Sequence, residues 1–289
     1  MDRLPASATP YPDLVAAWES AIEAFADVAD SLTARQWSAP SILPGWTNGD
    51  IVAHVVGIEQ DLLGEPLPSV DIDWDAAPHA DDLFSRYTEI AVAARRSEDQ
   101  REVCAELRKA IAARRAFMAA EPHDLGETVR GPGGWELPRG VVIRMRCFDI
   151  WTHGQDLRAA TGEPGGLGTD AAWAAASQMV KGLGRTWAKA VGAPEGSSAL
   201  VNVTGPGVSF RVKVATGEDG RARAVEVGHE VGSETGMDAG VKAEVEVTLG
   251  WPTFAALSTG RPLAEPGDIE IVGNRELGER LLAALNIAP

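Results

Sequence analysis

Only two cysteines, Cys104 and Cys147, occur in the 289 residues, and neither belongs to a CxxC pair or a Cys/His cluster. That scarcity excludes a disulfide framework and a structural zinc knuckle, and both thiols read as small buried hydrophobes. Long apolar runs are missing as well. No stretch of about 18 uncharged apolar residues occurs, so no membrane-spanning helix is expected. The N-terminus, MDRLPASATPYPDLV, lacks the basic start, apolar centre and cleavage site of a signal peptide, and a soluble, cytoplasmic protein is expected. Basic residues are in deficit: 26 Lys and Arg against 42 Asp and Glu leave a formal net charge of −16, spread along the chain. Such a surface repels phosphate backbones and anionic membranes, so neither nucleic acid nor membrane is expected as a partner. Internal repeats and low-complexity tracts are also absent.

What remains is a chain with 45% hydrophobic residues, long enough for two domains. From about residue 10 to 192 the apolar residues recur at intervals of three and four, the helical period. A first helix is expected over 11–35, with Leu14, Trp18, Ile22, Phe25 and Val28 on one stripe. After the turn Leu43-Pro44-Gly45-Trp46, Thr47 or Asn48 can cap a helix running to about Leu63. Further helices are expected near 80–97, 99–120, 139–161 and 169–191. The fifth of these six is opened by Pro138 and ended by Gly162 and Pro164. The segment 122–138, EPHDLGETVRGPGGWEL, reads as a long turn-rich loop of the kind that often carries function. Beyond residue 195 the pattern changes to valine-rich alternation at 199–204, 208–214, 222–227 and 241–249, with a short strand at 269–272. Helices are expected at 251–259 and 274–286. The domains are thus placed at 10–192, all-α, and 195–289, α+β.

One helix carries unusual polar residues. In CFDIWTHGQDLR, residues 147–158, Asp149 and His153 stand four apart in an otherwise apolar segment. On a helix such a pair shares a face, so the carboxylate and the imidazole can chelate one divalent cation. A third ligand would be needed. Of the five histidines, His79 and His123 fall in loops and His229 in a polar turn, whereas His54 lies on the apolar face that holds Ile51 and Ile58. Facing helices of a bundle build metal sites from such inward residues. The residues alone leave two plainer readings open: a satisfied core histidine, and an ordinary i,i+4 ion pair worth about 0.2–0.5 kcal/mol on an exposed helix.

Two stretches resemble a known family. LPGWTNGDIVAHVVGIEQDLLG (43–64) is similar to the PGW-x-x-x-D-x-x-x-H opening of the second helix in the mycothiol-dependent maleylpyruvate isomerase-like proteins of actinobacteria. RCFDIWTHGQDLRAATGEPGG (146–166) resembles their carboxylate-x-x-x-His helix. These proteins belong to the DinB-like superfamily of metal-binding four-helix bundles. VTLGWPTFAALSTGRPL (247–263) and GDIEIVGNRELGERLLAAL (267–285) are similar to the sterol-carrier-like domain that often follows. The fold implied is an up-and-down four-helix bundle followed by a small sterol-carrier-like α+β domain.

The resemblance implies that His54, Asp149 and His153 hold one divalent metal, zinc foremost, with iron or nickel suited to the same donors. Asp149 replaces a glutamate of the isomerase that names the family and is one methylene shorter. Mycothiol is implied as cosubstrate, for isomerisation of, or S-transfer to, a small electrophilic metabolite. Asp156 could support His153 or pair with Arg158, and Arg211 is a candidate clamp for a substrate carboxylate. Arg144 and Arg146 could draw an anionic substrate or simply be solvated. Trp46 and Trp151 read as packing residues. Two rivals are a metal-dependent hydrolase using the same ligands and a non-enzymatic carrier of apolar ligands in the second domain.

Overall fold

The structure, a computed structural model, describes residues 11–120, 124–217, 219–227, 243–263 and 267–287. The chain forms two compact units, one ending at Gly166 and one beginning at Leu167. Among the described residues no helix is long and apolar enough to cross a membrane. His123 and His229 lie outside the described residues.

The first unit is helical: α1 (Tyr11–Ser31), α2 (Ala34–Trp37), α3 (Asn48–Leu62), α4 (Leu83–Ala93), α5 (Gln100–Ala120) and α6 (Arg139–Thr161). The stripe Leu14, Trp18, Ile22 and Phe25 of α1 is buried, as its spacing requires. It packs along α6 and α5, while α3 packs on α4, α5 and α6. Each fully buried Leu, Ile or Phe contributes about 1.5–3 kcal/mol, so this stripe is a main stabilising feature of the unit.

Several boundaries differ from expectation. The single helix expected over 11–35 is two, because Thr33 is extended and its hydroxyl accepts from the backbone of Gln36, whose side chain accepts in return from Thr33. That reciprocal cap starts a new helix where periodicity alone continues the old one. The expected loop 122–138 holds a small antiparallel hairpin, β1 (Thr128–Arg130) with β2 (Glu136–Pro138), in which Val129 faces Leu137. By contrast α6 spans 139–161 as its punctuation dictates, ending at Gly162 in the left-handed region (φ 72°).

The second unit contains α7 (Asp170–Arg185), a sheet of β3 (Ser198–Thr204), β4 (Phe210–Thr216), β5 (Ala222–Glu226), β6 (Val245–Gly250) and β7 (Ile269–Gly273), and helices α8 (Trp251–Ser258) and α9 (Arg275–Ala283). The strand order is β5-β4-β3-β6-β7, antiparallel except for the parallel β3–β6 pair. Alternate residues of β4 and β6, among them Phe210, Val212, Val214, Val245, Val247 and Leu249, are buried, and central β3 is buried on nearly every residue. Helix α7, which periodicity alone groups with the helical domain, packs on β4 and β5. Gly184 of α7 lies so close to the Ala222 backbone that a Cβ would not fit. The units therefore part at Gly166/Leu167, ahead of the composition change near 192–195. An amphipathic pattern reveals that a face is buried but not what covers it.

Candidate metal centre

Helix α3 opens with a reciprocal cap: the Thr47 hydroxyl accepts from Asp50 N at 3.1 Å, and Asp50 Oδ2 accepts from Thr47 N at 2.9 Å. Of the two capping residues the sequence allows, Thr47 is the one used. The cap fixes the start of a helix that is buried over almost its whole length, and His54 comes two turns in. From α6, Asp149 and His153 meet it.

His54 Nε2 lies 3.5 Å from Asp149 Oδ2, and His153 Nε2 lies 3.6 Å from Asp149 Oδ1. The two imidazole rings stand edge to face with centroids 5.0 Å apart. One ligand atom from each residue falls within 4.8 Å of the others, and among the described residues this is the one such group of three. Both histidine side chains are nearly enclosed, at 6% and 10% exposure, while Asp149 is 31% exposed, so solvent reaches the group from the carboxylate side.

The surroundings orient each member. His153 Nδ1 is 3.1 Å from Asp156 Oδ2, which turns Nε2 toward Asp149. A carboxylate behind the far ring nitrogen is the usual way a ligand histidine is fixed. The Trp46 ring lies 5.2 Å from that of His54, and its Nε1 donates to Glu89 Oε2 at 2.8 Å. His79, read from sequence as a loop residue, meets the same buried carboxylate through Nε2 at 3.0 Å. Trp151 is buried and donates to Gly166 O, in keeping with a packing role.

Electrostatics set the protonation states. Burial lowers the basicity of His54, and the Asp149 charge only partly restores it. Burial opposes ionisation of Asp149, but Arg146, His153 and His54 together outweigh it and hold its carboxyl well below the ordinary value. Burial likewise opposes a charged His153, yet Asp149 and Asp156 push the ring up to about 9. An ionised Asp149 beside a neutral His54 is the state a cation requires.

A divalent metal fits these residues. Among the described residues, neither buried ring nitrogen of His54 completes a hydrogen bond, Nε2 having only the longer 3.5 Å approach to Asp149 Oδ2. Leaving a buried polar atom unsatisfied costs about 1–3 kcal/mol, which a bound cation would offset. Two imidazoles and a carboxylate are also a donor set suited to zinc, iron or nickel. The cysteines take no part: burial pushes Cys104 and Cys147 each up to about 12, so both are protonated and unreactive at neutral pH.

Reading the sequence missed the charges behind the ligands. Arg146, expected to draw an anionic substrate or to be solvated, is instead 3% exposed and donates from Nη1 to Asp149 Oδ2 at 2.6 Å and from Nε to Glu59 Oε1 at 2.9 Å. Glu59, wholly buried on α3, also accepts from Arg114 Nε of α5 at 3.2 Å. The one signal available was a glutamate beside Ile58 in a helix with little polar surface. Arg144 is buried too. Arg211 belongs to the other unit, on β4 opposite Asn202 of β3, with its Nε buried and completing no hydrogen bond among the described residues.

Residues 18–158 match the family model of the mycothiol maleylpyruvate isomerase N-terminal domain. Two relatives from Mycobacterium tuberculosis are each 31% identical over 151 residues, covering 52% of this chain and 69% of the relative. They are the uncharacterized proteins MT0763 (strain CDC 1551 / Oshkosh) and Rv0738 (strain ATCC 25618 / H37Rv). The fold is similar to crystal structures of the mycothiol-dependent maleylpyruvate isomerase and of its histidine-to-alanine mutant. Each has a TM-score of 0.54 at 14% identity over 91% of this chain and 93% of that one.

Proposed function

The chain belongs to the mycothiol maleylpyruvate isomerase N-terminal domain family, and on that premise we propose a metal-dependent enzyme that uses mycothiol as a thiol cosubstrate. Its reaction is isomerisation of, or S-transfer to, a small electrophilic metabolite in the cytoplasm. The observation that carries the reading is the meeting of His54, Asp149 and His153, with neither buried ring nitrogen of His54 completing a hydrogen bond among the described residues. These three residues would hold one divalent cation, zinc foremost. The first unit corresponds on this reading to a DinB-like bundle, and the second to a sterol-carrier-like domain.

When bound, the cation supplies stabilisation of a thiolate at neutral pH, where a free thiol of pKa about 8.5 is mostly protonated. The chain's own residues do the rest. Asp156 holds the His153 ring in its orientation, and Trp46, tethered by Glu89, walls the His54 side against water. The partly exposed Asp149 marks the side from which substrate enters. In isomerisation the thiolate adds to an activated double bond, rotation follows about the resulting single bond, and elimination returns the thiolate. In transfer the adduct is retained. With both cysteines buried and protonated, neither serves as a thiol nucleophile, in keeping with a thiol supplied as cosubstrate. Arg211 is the proposed clamp for a substrate carboxylate.

Metal content tests the proposal. Purified protein is expected to hold about one divalent ion per chain, as a three-ligand site requires, and the Asp149→Ala variant to hold far less. Equal content in the two would sink it. Turnover of an electrophile by metal-loaded protein without added thiol would point to hydrolysis instead.

A further inference from the structure

Behind the candidate ligands lies a buried chain of charges that the metal reading does not by itself require. Arg146 sits one turn before Asp149 on α6 and binds a different carboxylate with each of two nitrogens: Nε to Glu59 Oε1, Nη1 to Asp149 Oδ2. Glu59 is in turn held by Arg114 Nε from α5, with Trp18 Nε1 of α1 3.5 Å away. Stability alone is a poor reason for such a network. Desolvating a carboxylate and a guanidinium costs several kcal/mol each, and apolar replacements of similar volume are often as stable.

Its geometry supplies a better reason. Asp149 has a short side chain that is 31% exposed and would otherwise turn toward water. We propose that Arg146 is a positioning residue for Asp149: anchored by Glu59, it engages Oδ2 and leaves Oδ1, the oxygen facing His153 Nε2, as the donor to the cation. The inference rests on the metal reading above. Glu59 has a second effect in this arrangement, because its charge offsets that of Arg146 and keeps an unbalanced cation from standing beside the metal. The planar guanidinium is suited to this role, since its fork spans two carboxylates where an ammonium, a point charge, cannot.

The test compares Zn²⁺ affinity, by competition with a chromophoric chelator, in the full-length wild type, Asp149→Ala, Arg146→Lys and Glu59→Gln. Arg146→Lys keeps the charge and loses the fork, and Glu59→Gln keeps the shape and loses the anchor. Each is expected to weaken Zn²⁺ binding about 10–100-fold. The Co²⁺-loaded Arg146→Lys protein is expected to change its visible absorption, since both Asp149 oxygens become free to bind; a purely structural role would not produce that change. Wild-type affinity and an unaltered Co²⁺ spectrum in these variants, with Asp149→Ala impaired, would overturn the positioning role and leave the metal site standing. Failure of the wild type itself to bind Zn²⁺ would instead remove the metal reading and this inference with it. Should Arg146→Lys not fold, the isosteric Glu59→Gln variant decides.

Discussion

His153 stands between two carboxylates, and its protonation links stability to metal binding. In the folded, metal-free protein the ring keeps its proton up to about pH 9, against an ordinary value of 6.5. Between those values the folded chain binds more protons than the unfolded one, so stability is fully present below pH 6.5 and is lost as pH rises toward 9. His54, shifted the opposite way, opposes this trend only near pH 6.5, where the unfolded ring is still partly protonated, and adds nothing well above that value. The buried thiols contribute only above their ordinary range, about 8.5. The melting temperature of metal-free protein is therefore expected to fall from pH 6.5 to 8.5, and that of His153→Gln to stay flat. Zn²⁺ affinity should rise over the same window as the cation displaces the His153 proton, with about one proton released per ion. A melting temperature that rises with pH would contradict the charge assignment. Asp149 and His153 stood out as candidates because their spacing is local, and His54 because it interrupts an apolar face, but only the family resemblance implied that the three meet. Arg146 and Glu59 did not stand out, since the contact that buries them joins positions 87 residues apart.

Helix α3 owes its position to two small features. One is the Thr47 cap in the PGW turn; the other is Gly57, three residues beyond His54, where a Cβ would collide with the Cβ of Ala91 on α4. Glycine costs about 1 kcal/mol relative to alanine inside a helix, so its presence here is accounted for by the close approach of α4. Gly57→Ala is expected to lose up to about 2 kcal/mol net, as overpacking of about 1–3 kcal/mol is set against a gain in propensity of about 1 kcal/mol. Adding Ala91→Gly should relieve the collision. Urea unfolding of the single and double variants measures both, and a single variant as stable as wild type would mean that the approach is not tight. Such tolerances are invisible in a sequence, whereas the bounds of α6 were legible because Pro138 and Gly162 punctuate it. Strands of three residues, as in β1 and β2, are too short to show alternation, which is why that hairpin read as a loop.

At the scale of the whole chain, the change from helical to alternating patterning foretold an α-rich part and a small sheet. It placed their division too late because α7 is helical yet belongs to the sheet's unit. On the proposed function, the division at Gly166/Leu167 falls between two tasks. His54, Asp149, His153 and the Glu59–Arg146 pair all precede Gly166, whereas Arg211 follows Leu167. If the first unit holds the cation and Arg211 binds a substrate carboxylate, the two functions should respond separately to mutation. Arg211→Ala is expected to bind Zn²⁺ as tightly as wild type, since Arg211 is neither a candidate ligand nor one of the residues that orient them. Thiol-dependent turnover of an anionic substrate by that variant should nevertheless fall. A hydrogen bond to a charged group contributes about 1.5–3 kcal/mol, which corresponds to a loss in kcat/KM of about 10–100-fold. Calorimetric Zn²⁺ titration beside steady-state kinetics reads the two effects independently. Weakened metal binding would show that the units are not separable in this way, and unchanged kcat/KM would remove Arg211 from substrate recognition while leaving the metal centre intact.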